Sequence, residues 1–345
     1  MSTAVDETDL SGGGTAPEPL EERAEKTQGR QASMLLAPSL ILLAIVILYP
    51  VISAITLSFQ KNPGLDPATG LFVQGGPAGF NNYTTWLLQQ CPAGAGAFTC
   101  PDGSIAGQFW SATGVTFLFT IVTVALETVL GFWMATIMAR KFTGRGLLRA
   151  AVLVPWAIPT AVTAKLWYFI FDANGILNTL IGRTGSNAIL WTGSEWPARW
   201  AIIIADTWKT TPFMALLILA GLQLIPAEVY EAAKVDGTSA WQRFVQITLP
   251  LVKPALLVAI LFRVLDALRM YDLPAILTGG ANGTTTLSIL VIQQMRAGVN
   301  SAAALSTITF LIIFLVAFIF VKFLGANVVE GAGPKRRKRK KVAAA

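Results

Sequence analysis

The chain has 345 residues, of which 54% are apolar and 13% charged, and its mean hydropathy of +0.59 is typical of a polytopic membrane protein rather than of soluble domains. It contains no histidine, which excludes imidazole general-base chemistry, His-ligated metal sites and Ser-His or Cys-His dyads. The formal charge of +7 comes entirely from one run of seven bases, so the rest of the chain is neutral and gives no support to nucleic-acid binding. The run comprises Lys335, Arg336, Arg337, Lys338, Arg339, Lys340 and Lys341.

Apolar stretches divide the chain into six predicted membrane spans. Residues 1–33 show no apolar periodicity and are predicted to form a disordered cytoplasmic tail. The stretches beyond them are each long enough to cross about 30 Å of hydrocarbon as a helix, and they run over about 34–59, 109–139, 147–171, 200–223, 252–277 and 302–324. Bases concentrate in the links after the second and fourth spans and in the tail 325–345, so the positive-inside rule places these segments and both termini in the cytoplasm. We therefore expect an all-α protein with six transmembrane helices over 34–324.

The loop 60–108 falls on the outer face in this orientation. It contains the two cysteines, Cys91 and Cys100, nine positions apart in a Pro/Gly-rich stretch. Because the outer compartment is oxidising, a disulfide that staples the loop is favoured. Two unpaired loop thiols remain the alternative interpretation.

The cytoplasmic link 226–250 has the pattern of two short helices joined by a turn. Pro226 suits the first position of a helix, and Ala232 and Ala233 favour its continuation. Gly237 can supply a left-handed turn, and Ser239 can cap a second helix that Pro250 is expected to stop. The sequence therefore predicts a helix-turn-helix on the membrane surface that another protein can grasp.

Several residues of this link are similar to a known family signature. Glu231-Ala232-Ala233, three residues, Gly237, nine residues, Ile247, one residue and Leu249-Pro250 resembles the EAA signature of the permeases of ABC importers. The resemblance implies the type I permease fold over roughly 34–324. It also implies that the segment is the coupling helix received by an ATPase subunit, with Glu231, Ala232, Ala233, Asp236 and Gly237 as the coupling residues.

The resemblance extends to one branch of the family. Residues 208–213 and 277–280 look like the larger-loop member of a carbohydrate permease pair of the maltose, trehalose and glycerol-phosphate type, although Ala281 stands where a proline is common. Such a subunit implies a second homologous permease, an ATPase dimer that binds ATP and Mg²⁺, and an extracytoplasmic sugar-binding protein or lipoprotein. The chain itself has no Gly-x-x-x-x-Gly-Lys-Ser/Thr sequence, so no cofactor, metal or catalytic residue is expected in it.

Charged side chains inside the spans are costly and usually face a bundle interior or a watery cavity. Four of them recur every third residue with alternating sign and predict one polar stripe on the fifth span: Arg263, Asp266, Arg269 and Asp272. Asp206 and Lys209 repeat the spacing on the fourth span. A polar wall along a translocation path is one interpretation, and interhelical ion pairs that only hold the bundle together are the other. Glu127 and Lys165 are interpreted as structural.

Family resemblance places sugar contacts on three spans. The implied substrate-path residues are Trp156, Thr160, Asp206, Thr210, Leu265, Asp266 and Arg269. Pro155 and Pro159 break the backbone hydrogen-bond ladder of the third span, so a kink that opens a cavity is expected there, with a plain packing bend as the alternative.

The sequence therefore predicts a multi-pass permease subunit of a binding-protein-dependent, ATP-driven sugar importer in a bacterial plasma membrane. Its expected substrate is a di- or oligosaccharide such as trehalose or maltose. An ion-coupled secondary transporter, in which the intramembrane acids bind protons or cations, is the alternative.

Overall fold

The computed structural model describes residues 33–65, 70–93 and 96–322. The predicted tail 325–345, with its seven consecutive bases, and all of the predicted tail 1–33 except Ser33 lie outside these residues. The chain divides into two compact units, Met1–Ser53 and Ala54–Ala345. In the described part of the chain five helices are long and apolar enough to cross a membrane, and a bent helix pair makes a sixth candidate span.

The helices that can span singly are α1 (Ser33–Ser58), α3 (Phe109–Ala139), α7 (Glu195–Gln223), α9 (Ala240–Ala267) and α12 (Val299–Phe320). The bent pair comprises α4 (Arg145–Ala157) and α5 (Thr160–Ile170). Shorter helices are α2 (Asn81–Leu87), α6 (Ile176–Leu180), α8 (Ala227–Val235), α10 (Asp272–Leu277) and α11 (Leu287–Ala297), and a 3₁₀ turn covers Gly185–Asn187. The prediction of a mostly helical, polytopic membrane protein is confirmed.

The core of the second unit is built on close packing of α7 against α3 and α9. At Gly131 of α3, an added Cβ would lie 3.1 Å from the Ala215 nitrogen and from the Met214 Cβ of α7. At Gly221 of α7, an added Cβ would lie 2.4 Å from the Ala255 Cβ of α9. Glycine at these two positions therefore lets the helix backbones approach closely enough to bring polar groups from three helices together.

The third predicted span, 147–171, is two helices rather than one. α4 and α5 meet at an angle of 90°. Ile158 between them is extended, with φ −72° and ψ 132°, and Pro159 caps α5 with ψ 139°. Proline disfavours helical backbone in the residue before it, and here this produces a full break where the sequence predicted a kink.

The prediction that Pro250 stops a helix is wrong. α9 runs from Ala240 through Pro250 and ends at Ala267, so the fifth span also begins earlier and ends earlier than predicted. A π-helical turn, Phe244–Thr248, ends two residues before the proline. The wider turn shifts the hydrogen-bond ladder, so the helix accommodates a residue that lacks an amide hydrogen.

The loop after α1 carries the strands of the described structure. β1 (Gly64–Leu65) pairs antiparallel with β2 (Phe72–Val73), and β3 (Gln90–Ala93) pairs antiparallel with β4 (Gly96–Thr99). Cys91 and Cys100 form a disulfide with a Cα–Cα distance of 5.0 Å. The buried Trp86 indole donates to the Ser301 carbonyl at 3.1 Å, which ties α2 to the first turn of α12.

Candidate functional site

Two interruptions in helices border one polar cavity of about 130 Å³. One is the break between α4 and α5, and the other is the segment between the end of α9 at Ala267 and the start of α10 at Asp272. The cavity is lined by Thr160, Asp206, Lys209, Thr210, Arg263, Asp266, Arg269, Met270, Tyr271, Asp272 and Leu273. Discontinuous helices at membrane depth are tolerated where their free backbone groups face protein or a cavity, and transporters use them to build substrate sites.

Arg263 of α9 is the centre of a buried ion network beside this cavity. Its side chain is 2% exposed. Its Nε donates to Glu127 Oε2 at 2.5 Å and its Nη2 donates to Glu127 Oε1 at 3.0 Å. Nη2 also pairs with Asp206, and Nη1 donates to Asp266 Oδ2 at 2.9 Å. One guanidinium thus joins α3, α7 and α9 through three carboxylates, using the planar fork of donors that only arginine provides.

The three carboxylates differ in their exposure. Glu127 is fully buried, Asp206 is nearly so, and the Asp266 side chain is 67% exposed. Thr210 also donates to Glu127, at 2.5 Å. Glu127 and Asp206 are therefore largely committed to protein partners, whereas Asp266 keeps oxygen atoms available to a ligand in the cavity.

The structure brings five of the predicted path residues together at the cavity: Thr160, Asp206, Thr210, Asp266 and Arg269. It does not bring the other two. Trp156 stacks on Phe213 with ring centroids 5.6 Å apart and planes at 18°, and Leu265 is not among the residues that line the cavity. Sequence reasoning left Glu127 and Arg263 out of the site, although both were conspicuous as charges within apolar stretches.

The predicted single stripe on the fifth span is wrong. Arg263 and Asp266 lie on α9, but the helix ends at Ala267. Arg269 lies in the interruption and Asp272 begins α10. The four side chains still share the cavity, because the break folds the chain back around it.

The segment around Gly237 is a helix, a turn and a second helix. α8 ends at Val235, and Gly237 has a φ of +75°, the left-handed conformation that favours glycine. Ser239 and Gln242 form a reciprocal capping box at the start of α9. Val235 and Trp241 on either side of the turn are 88% and 72% exposed, so the turn presents apolar side chains at its surface.

Of the two adjacent alanines in this segment, one is buried against the chain and the other is exposed. Ala233 is buried within the chain, where its carbonyl accepts from Thr238 Oγ1 at 2.6 Å, while Ala232 is exposed. Of the pair, Ala232 is thus the residue that an external protein can contact. In the described part of the chain no group of three Asp, Glu or Cys side chains is arranged to hold a metal ion.

Comparison with known proteins identifies a family and its sugar-transporting members. The family described as "Binding-protein-dependent transport system inner membrane component" matches residues 127–330. The trehalose/maltose transport system permease protein MalF of Thermococcus litoralis is 36% identical over 307 residues, which is 88% of this chain and 96% of that protein. The trehalose transport system permease protein SugA of Mycobacterium tuberculosis is 38% identical over 305 residues, 88% of this chain and 91% of that protein.

A solved structure shares the fold. It is the bacterial alginate ABC transporter in complex with an alginate pentasaccharide-bound periplasmic protein, with a TM-score of 0.66 and 19% identity, covering 89% of this chain and 96% of the matched one. The family match covers all of the cavity-lining residues and the whole segment around Gly237.

Proposed function

The chain belongs to the binding-protein-dependent transport system inner membrane component family, and from this premise we propose that it forms the sugar path of an ATP-driven importer. As a member of that family it is a multi-pass inner-membrane permease and not an enzyme. The substrate we propose is a di- or oligosaccharide, with trehalose and maltose as the leading candidates because relatives that carry those names align over most of the chain.

One observation carries the proposal: a polar cavity lies between two helix interruptions and is lined by both donors and acceptors. The hydroxyl groups of a sugar need acceptors such as Asp266 and donors such as Arg269 and Lys209. Tyr271 in the same wall adds an aromatic ring, which can cover the apolar face of a pyranose. The cavity is small for a disaccharide, so the sugar path has to widen during transport.

The partners follow from the family and from the absence of a phosphate-binding loop in the chain. We propose that a second homologous permease completes the path and that an ATPase dimer, which binds ATP and Mg²⁺, receives the turn around Gly237. In this arrangement residues 226–250 are cytoplasmic, and Glu231, Ala232, Ala233, Asp236 and Gly237 are the coupling residues. A sugar-binding lipoprotein delivers the substrate on the outer face, where loop 60–108 is stapled by its disulfide.

The ion-coupled alternative receives less support from the site. A proton- or cation-driven carrier needs an intramembrane carboxylate that is free to bind the ion. Glu127 and Asp206, the most buried acids among the described residues, both pair with Arg263. Asp266 gives one oxygen to the same guanidinium at 2.9 Å and remains 67% exposed, so the support against the alternative comes from the two buried acids.

The test is reconstitution of the complete importer in proteoliposomes. The chain, its second permease, the ATPase dimer and the binding protein are assembled, and uptake of labelled trehalose, maltose and a monosaccharide is measured with and without ATP. Uptake is expected to require ATP and the binding protein. A complex with a hydrolysis-deficient ATPase subunit is the matched control. Uptake by the purified chain alone, driven by a proton gradient, would contradict the proposal.

A further inference from the structure

Lys209 of α7 forms a hydrogen bond to the backbone at the break in the third span. Its Nζ donates to the carbonyl oxygen of Ile158 at 2.6 Å. Ile158 is the extended residue between α4 and α5, so its carbonyl has left the helical hydrogen-bond ladder. An unpaired carbonyl at membrane depth costs free energy, and the lysine supplies the missing donor from a helix that packs against both halves of the span.

The same ammonium group borders the cavity. Lys209 lines it together with Asp206 and Asp266. A lysine ammonium has three N–H donors, and in the described part of the chain the Ile158 carbonyl is the one hydrogen-bond partner of Lys209. Two donors therefore remain for a ligand. Arg263 differs in this respect, because its guanidinium is occupied by three carboxylates.

The break and the cavity are also linked by chain continuity. Thr160, two residues after Ile158, begins α5 and lines the cavity. Both halves of the span contact α7, on either side of Ile158: Trp156 of α4 stacks on Phe213, and Trp167 of α5 meets Trp208 edge-on with ring centroids 5.8 Å apart. The position of Ile158 therefore fixes the distance of Thr160, and with it of one side of the cavity, from α7.

We propose that Lys209 is a positioning residue for the transported sugar, which links occupancy of the cavity to the geometry of the broken span. One N–H holds the Ile158 carbonyl and thereby fixes Thr160, and the remaining N–H groups donate to sugar hydroxyls. The Lys209 side chain thus contacts both the bound sugar and the backbone at the break in the span. This inference rests on the proposed sugar path and adds to it a role for Lys209, which is not among the substrate-path residues that the family resemblance implies.

The experiment compares Lys209→Met, Lys209→Arg and the control Lys165→Met in the reconstituted importer. Lys165 lies on the exposed side of α5, with its ammonium 5.6 Å from the Tyr168 ring centroid, and does not line the cavity. For each variant we measure complex yield, the KM and maximal rate of sugar uptake, and the number of ATP molecules hydrolysed per sugar transported.

Lys209→Met is expected to assemble and to raise KM by about tenfold to a hundredfold, the loss that follows from removing charge-assisted hydrogen bonds. It is also expected to raise the ATP used per sugar, because the break is no longer held. Lys165→Met is expected to match wild type. A normal KM and normal ATP use in Lys209→Met would overturn the inference.

Lys209→Arg keeps the experiment decisive if the methionine variant does not assemble. Arginine retains a donor for Ile158 but places it differently, so KM is expected to rise while yield is kept. If Lys209→Met fails to assemble and Lys209→Arg transports with wild-type KM, the lysine has only a structural role and the inference is wrong. Failure of the proposed function would be distinguishable, because wild-type complexes would then show no ATP-dependent sugar uptake.

Discussion

Replacing Arg263 by methionine is expected to prevent stable assembly of the membrane domain. The guanidinium is 2% exposed and is the shared partner of Glu127, which is fully buried, and of Asp206. Removing one partner of a buried ion pair costs about 3–5 kcal/mol, because the remaining charge stays desolvated. Here a single change leaves two buried carboxylates without their cation, so the cost lies at the upper end of that range.

The assay is complex yield and thermal stability in detergent, measured beside Arg269→Met. Arg269 lines the same cavity, but it is exposed and forms no salt bridge among the described residues. Its replacement is expected to leave yield unchanged and to alter uptake. The triple variant Glu127→Gln, Asp206→Asn, Arg263→Met is expected to recover much of the yield, since replacing a whole buried ionic group is often close to neutral.

Two outcomes would refute this reasoning. If Arg263→Met assembled with wild-type yield and melting temperature, the network would not hold α3, α7 and α9 together. If the triple variant were as unstable as the single one, the loss would come from the packing of the arginine stem and not from unpaired carboxylates.

Three further changes test other parts of the molecule. Asp266→Asn removes a charge whose side chain is 67% exposed, so stability should change by only about 0–1 kcal/mol while sugar preference or uptake changes; poor yield would argue against a ligand role. Gly237→Val forces a β-branched residue into φ +75° and should reduce ATPase binding, whereas Gly146→Val, at a position without positive φ, should not; equal binding by both variants would contradict the coupling role. Cys91→Ser should destabilise the outer loop by about 2–3 kcal/mol, measured as faster proteolysis of that loop; unchanged proteolysis would show that the disulfide is dispensable.

The spans were predictable where hydropathy alone decides a boundary. α3 occupies Phe109–Ala139 as predicted, because Glu127 is the one charged residue in this long run and polar residues flank it. Boundaries that depend on proline were not predictable to the same degree. Pro250 lies within a continuous helix and Pro159 marks a 90° break. A π-helical turn lies before Pro250, and no local sequence rule signals it.

The site was predictable as a set of residue types but not as a geometry. The cost of burying charge indicated that the intramembrane acids and bases had partners, and i,i+3 spacing correctly joined Arg263 to Asp266. The pair between Arg263 and Glu127 spans 136 positions. Only the close approach of α7 to α3 and α9, which glycines at 131 and 221 permit, brings those groups within hydrogen-bond distance.

This arrangement changes which residues can select a substrate. A carboxylate that is fully hydrogen-bonded to protein contributes to stability and has little capacity left for a ligand, because each oxygen atom accepts a limited number of hydrogen bonds. Asp206, a predicted sugar contact, is closer to that state than Asp266, since one of its oxygens pairs with Arg263 and its side chain is 9% exposed against 67% for Asp266. Asp266, Lys209 and Arg269 keep free donors or acceptors at the cavity. Differences in sugar preference among related permeases should therefore follow these three positions, while changes at Glu127, Asp206 or Arg263 should act first on whether the helices assemble at all.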